Sequence, residues 1–143
     1  MDFEGELRFW RRWLHQHPEF GFEETATAKF VADRLHEFGF TDIVTGIGGT
    51  GVVATLKRGT RTRTLALRAD MDALRIAEQT NLEHASTHPG VMHACGHDGH
   101  TVMLLGAARL LAQEGGFDGV VRFVFQPAEE WGQGMLAMLR DGL

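Results

Sequence analysis

Val120-Val121-Arg122-Phe123-Val124-Phe125-Gln126-Pro127 is nearly continuous in apolar character, and Pro127 ends it. A short run of this kind is the pattern of a strand covered on both faces. Ahead of it, Val102 to Leu111 is apolar at helical spacing, with Leu104, Leu105, Ala108 and Leu111 on one face. That helix is expected to begin at Asp98 or Thr101 and to end at Gly115-Gly116. Further strands are expected at Thr64–Ala69 and Val52–Leu56, with a short one at Thr41–Val44. Strands alternating with helices predict an α/β layered domain.

The flanking segments fill out this plan. Phe3, Leu7, Trp10 and Leu14 mark a helix over residues 3–17, stopped by Pro18. His15 and His17 lie at its end, where histidines complement the helix dipole. Glu23-Glu24-Thr25 is expected to open a second helix with acids in its first turn, carrying Ala28, Val31, Leu35 and Phe38 as its apolar stripe. Gly46, Gly48, Gly49 and Gly51 read as a flexible connection, and no Gly-Lys-Ser/Thr follows to make it a phosphate loop. Lys57 to Arg61 reads as a solvated turn. Residues 75–92 lack periodicity and read as a long surface excursion, the kind of segment that tends to be functional. Gly134–Arg140 is a last amphipathic stretch.

The chain has 143 residues, enough for one domain with a core. Its formal net charge of −5 argues against a nucleic-acid partner. No apolar run approaches the roughly 20 residues that span a bilayer. The acidic opening Met1-Asp2-Phe3-Glu4-Gly5-Glu6 lacks the features of a secretory signal. A single cysteine cannot form an internal disulfide, so a reducing cytoplasm is the expected compartment.

That cysteine lies in His93-Ala94-Cys95-Gly96-His97-Asp98-Gly99-His100-Thr101, which gathers four ligand-type side chains: His93, Cys95, His97 and His100. Thiolate and imidazole are favoured by zinc-like ions. The loop empties into a helix N-terminus, whose partial positive charge is expected to favour the Cys95 thiolate. A redox cysteine is the competing reading, and it predicts a thiol that reacts whether or not metal is present.

The acids complete the pattern. Asp70 and Asp72 end one strand and, two apart in extended backbone, face the same way. Glu129 and Glu130 follow the next strand and are expected to diverge, one toward a metal and one toward substrate. Taken alone, they are better read as the acidic first turn of a helix, and only together with Cys95 and His97 does the metal reading prevail. If the two strands are parallel, all these groups share the rim where α/β sheets place their sites.

Four segments in order then resemble the successive motifs of the M20 metallopeptidase family. They are Arg12 to Glu19, Leu67-Arg68-Ala69-Asp70-Met71-Asp72-Ala73-Leu74, Met92 to Thr101, and Phe125-Gln126-Pro127-Ala128-Glu129-Glu130. They are most similar to its amidohydrolase branch, which includes hippurate hydrolase, N-acyl-amino-acid deacetylases and auxin-conjugate hydrolases. The resemblance implies the N-terminal portion of a three-layer αβα zinc-peptidase-like catalytic domain, with a mixed sheet flanked by helices. It implies Cys95, His97 and Glu130 as metal ligands, with Cys95 a bridging candidate. Glu129 would be the general base that activates water, and Asp72 an orienting acid. Two ions per complete site are implied, zinc or manganese, with cobalt or nickel as neighbours. The substrate would be an N-acyl amino acid or a related amide conjugate. Arg75 stands where the family keeps proline. The family is longer, with two further histidine ligands and a smaller lid domain through which it dimerises. Residues 1–143 are therefore expected to be an incomplete catalytic domain, weak or inactive alone. A non-catalytic metal-binding or partner-binding module is the alternative.

Overall fold

In the computed structural model, which describes residues 2–143, four strands form one mixed sheet of order β1-β2-β4-β3. They are β1 (Asp42–Ile47), β2 (Gly51–Arg58), β3 (Thr64–Asp70) and β4 (Gly119–Gln126). β4 is central: it pairs antiparallel with β2, Val53 opposite Val124, and parallel with β3, Leu67 opposite Phe123. Its apolar run is thus buried from both sides, as the sequence requires. The parallel pair needs a crossover, and α3 (His97–Glu114) supplies it. α3 begins one residue before the earlier of its two expected starts, because Gly96 takes a left-handed conformation, φ 86°, and turns the chain straight into the helix.

Alternation along β2 and β4 sends side chains to two layers. Phe123 and Phe125 face α1 (Phe3–Gln16), α2 (Thr25–Glu37) and α3, packing with Leu14, Leu35 and Leu105 in the main core. Phe40 meets Phe123 edge-on, with ring centroids 5.5 Å apart. Val53 and Val124 face the other way, against Met138 of α4 (Gly134–Arg140). Helices on both faces of a mixed sheet make the expected three layers. No helix among the described residues is long and apolar enough to cross a membrane.

Three local expectations are corrected. Glu24 does not serve the dipole of α2: it makes no cap hydrogen bond and is fully buried. Glu19 caps that helix instead, accepting from the Ala26 and Thr27 N–H groups at 3.0 and 2.7 Å. The glycines at 46–51 are a hairpin turn between β1 and β2, not a loose connection. Gly48 donates its N–H to Asp141 at 2.7 Å and lies so close to Met138 that a Cβ would come within 2.7 Å of that side chain. Lys57 and Arg58 continue β2, and only the residues after them turn. Residues 75–92 are irregular as expected, and a Leu74–Met92 bridge ties their two ends together.

Candidate metal centre

β3 and β4 end side by side, with Asp70 opposite Gln126. The acids that follow each strand therefore share one rim with the start of α3. His97, at the first turn of that helix, is the hub. Its Nδ1 lies 2.9 Å from the Asp72 carbonyl oxygen, which can only accept, so Nδ1 carries the proton. Asp72 Oδ1 supports the same edge at 3.1 Å. In the neutral imidazole this leaves the Nε2 lone pair free, turned toward the acids of the rim.

Around Nε2 stand Asp70 Oδ1 at 3.6 Å, Glu129 Oε2 at 3.7 Å and Glu130 Oε1 at 3.8 Å. These separations are too long for hydrogen bonds. Ligand atoms of Cys95, His97 and Glu130 all lie within 4.8 Å of one another, and Cys95 is exposed rather than packed among apolar groups. A thiol, an imidazole with a bare nitrogen and a carboxylate converging on one space fit a zinc-like divalent ion.

The charges fit as well. Hydrogen bonding to Glu130 comes first in pushing the Cys95 thiol up to about 11, with burial and the charges of Glu130, Glu129 and Asp70 adding to it. The expectation that the helix terminus favours a thiolate is therefore corrected: nearby carboxylates dominate, and only a cation would reverse them. Burial disfavours charge on His97, yet the Asp72 hydrogen bond and the Asp70 and Asp72 charges hold its pKa above the usual value. Asp72 is itself held below the usual carboxylate range. Burial opposes this, but hydrogen bonds from His97 and from the Glu130 and Glu129 N–H groups outweigh it.

Glu129 and Glu130 do not diverge as expected, nor do they open a helix. Both occupy a turn, and α4 starts only at Gly134. Ala128, at φ 44°, swings the backbone so that both carboxylates reach His97. Their side chains remain distinct in access: Glu129 is 38% exposed and Glu130 is 22% exposed. Asp70 is satisfied on both oxygens, by Arg68 Nη1 at 3.0 Å and His100 Nδ1 at 2.7 Å. Asp70, His97 and His100 form a second ligand-type trio beside the first.

Buried groups without a distinctive local signal support this rim. Glu24 accepts from the Ala128 N–H at 2.8 Å and the Thr50 hydroxyl at 2.5 Å, fixing the turn that carries Glu129 and Glu130. Burial raises its pKa, so a neutral amide should substitute well. Glu24→Ala should cost about 3 kcal/mol in urea unfolding by orphaning both donors, and Glu24→Gln less than about 1 kcal/mol. His15 does not serve the dipole of α1: Asp98 lies 2.7 Å from its Nδ1 and Glu78 3.2 Å from its Nε2, tying α1 to α3 and to the 75–92 excursion. His17 keeps its helix-end role, its ring nitrogen 2.7 Å from the Trp13 carbonyl.

His93 is the fourth ligand-type residue of the loop, but it joins neither trio. It is buried, and neither ring nitrogen has a protein partner. Burial, foremost, lowers its pKa from 6.5 to about 4. The unfolded chain therefore takes up a proton near pH 6.5 that the folded chain refuses until about pH 4. Its contribution is full above that window and is lost as pH falls through it. Relative to His93→Phe, the unaltered chain should lose about 3 kcal/mol of stability between those pH values, read by urea unfolding at each pH.

Residues 66–143 match peptidase family M20/M25/M40. Hippurate hydrolase of Campylobacter jejuni is 50% identical over 143 residues, which is all of this chain and 37% of that protein. N-acyl-L-amino acid amidohydrolase of Geobacillus stearothermophilus is 51% identical over 122 residues, 85% of this chain and 33% of that one. A dinuclear metal-binding peptidase of Bacillus subtilis superposes with a TM-score of 0.93 at 45% identity, covering 98% of this chain and 39% of its own. The chain thus spans about a third of the length of the relatives it matches.

Proposed function

The chain belongs to peptidase family M20/M25/M40, and from that premise we propose that it forms the N-terminal part of an amidohydrolase catalytic domain. The substrate is an N-acyl amino acid or a related amide conjugate. The observation that carries this reading is the bare His97 Nε2 facing Cys95, Glu129 and Glu130 in one space.

In this reading Cys95, His97 and Glu130 hold a divalent ion, zinc or manganese, with cobalt and nickel as neighbours. When bound, such an ion polarises the amide carbonyl and acidifies water. Glu129, the more exposed of the two acids, takes a proton from the attacking water and delivers it to the departing nitrogen. Asp72 is a positioning residue: it fixes the His97 tautomer and holds the Glu130 N–H at 3.0 Å. A complete site has two ions and two further histidine ligands, and the whole protein is a cytoplasmic homodimer assembled through a separate lid domain. Three ligands define one ion weakly, so slow turnover is expected from this chain.

The test is amine release from an N-acyl amino acid with manganese or zinc present. Hydrolysis that depends on both the ion and Glu129 supports the proposal. Tight ion binding without any turnover would instead identify a non-catalytic metal-binding module. The small ligand number, Cys95, His97 and Glu130 alone in the first trio, is the observation favouring that alternative.

A further inference from the structure

We infer that His15, held as an imidazolium between Asp98 and Glu78, is a proton-dependent clasp: it fastens residues 76–86 to the body of the domain and releases them as pH rises. The inference goes beyond the amidohydrolase reading and does not rest on it.

The stretch it fastens has little else to hold it. No residue from Arg75 to Gly90 is buried as a whole, and Ile76 and Leu82 are exposed apolar side chains. Segments with so few buried apolar contacts open locally at low cost. Backbone bonds pin both ends. Leu74 and Met92 exchange N–H to carbonyl bonds at 3.0 and 2.9 Å, and Thr87 donates its N–H to the Gln16 carbonyl at 2.9 Å. Between these ends the Gln16 amide reaches the Glu83 carbonyl at 3.4 Å, a long contact. Glu78 is the exception, because its side chain is 4% exposed while its sequence neighbours lie in solvent. Its Oε1 faces His15 Nε2 at 3.2 Å and accepts from the Thr80 hydroxyl, and its Oε2 accepts from the Ser86 N–H at 2.6 Å.

The protonation state follows from the partners. His15 Nδ1 lies 2.7 Å from Asp98 Oδ2, and Nε2 faces Glu78. Carboxylates only accept, so both ring nitrogens must donate, and only the imidazolium does that. Neither acid supplies the proton instead. Asp98 Oδ2 is shared with Arg11 Nε at 2.9 Å. Burial would raise the Glu78 carboxyl, but hydrogen bonds from Thr80, Ser86 and His15 outweigh it and hold it below the usual range. The other groups facing His15 are the rings of His84 at 5.7 Å and His93 at 6.4 Å. A proton on His84 would oppose one on His15, and His93 stays neutral until about pH 4. Two acids thus face two cations, Arg11 and His15. Once His15 gives up a proton, the shorter bond, to Asp98, keeps the one that remains. The bond that fails is the one to Glu78.

The test is residue-resolved amide hydrogen exchange of the chain at about pH 6 and about pH 9, corrected for the intrinsic pH dependence of exchange. Protection of the Ser86 N–H should fall about tenfold or more with the loss of a charge-assisted bond. The Thr87 N–H and the β4 amides should keep theirs. His15→Gln should show the low protection at both pH values. Glu78→Gln is the deciding variant: its amide donates to a neutral His15 while its oxygen still accepts from Ser86, so protection should stay high at both. His84→Phe should leave the fall in place. The inference is overturned if the unaltered chain protects Ser86 equally at both pH values, if β4 loses protection to the same degree, if the fall persists in Glu78→Gln, or if it disappears in His84→Phe.

Discussion

Glu129→Gln is expected to lower amide hydrolysis about 10²- to 10⁴-fold while leaving ion affinity within a factor of a few. The amide keeps the shape of the side chain but cannot take a proton. Glu129 lies outside the Cys95–His97–Glu130 trio, so its loss does not remove a ligand. The same substitution at Glu130 should behave differently, weakening ion binding and activity together. Amine release and ion titration on the same samples separate the two roles. If Glu129→Gln reduced affinity as severely as Glu130→Gln, the division between base and ligand would be wrong.

The second large effect is expected at His97. His97→Ala removes the only nitrogen donor of the trio and should abolish measurable binding of one equivalent of ion at micromolar concentration. Asp72→Asn is the finer probe. It keeps the backbone carbonyl that accepts from His97 Nδ1 at 2.9 Å but replaces the carboxylate at 3.1 Å. Loss of such an outer partner typically costs 10- to 100-fold in metal affinity. An Asp72→Asn chain that binds ions unchanged would show that the carboxylate has no orienting role.

Much of this was legible in the sequence because it was local or periodic. The run from Val120 to Phe125 identified a strand covered on both faces, while parallel pairing with the Thr64 strand was only a condition in the sequence, and the structure meets it. That pairing alone brings Asp70, Asp72, Glu129 and Glu130 to one rim. Less legible was whatever depends on contacts between distant residues. Glu24 looked like a helix-start acid because its neighbours in sequence fit that role. Its actual partner, the Ala128 N–H, is 104 positions away. His15 was misread for the same reason, since Asp98 is 83 positions away. The convergence of Glu129 and Glu130 depends on the left-handed backbone at Ala128, a conformation alanine gives no sign of adopting. The thiol of Cys95 was expected to follow the helix terminus, but three carboxylates outweigh a partial charge at that distance.

The most direct measurement is optical titration of the chain with cobalt(II), following the charge-transfer absorption that only a thiolate–cobalt bond produces. The absorption should grow to saturation at one equivalent. It should vanish in Cys95→Ser and weaken in Glu130→Gln. Cobalt bound at full affinity without that absorption, or with Cys95→Ser indistinguishable from the unaltered chain, would contradict a centre built on Cys95, His97 and Glu130.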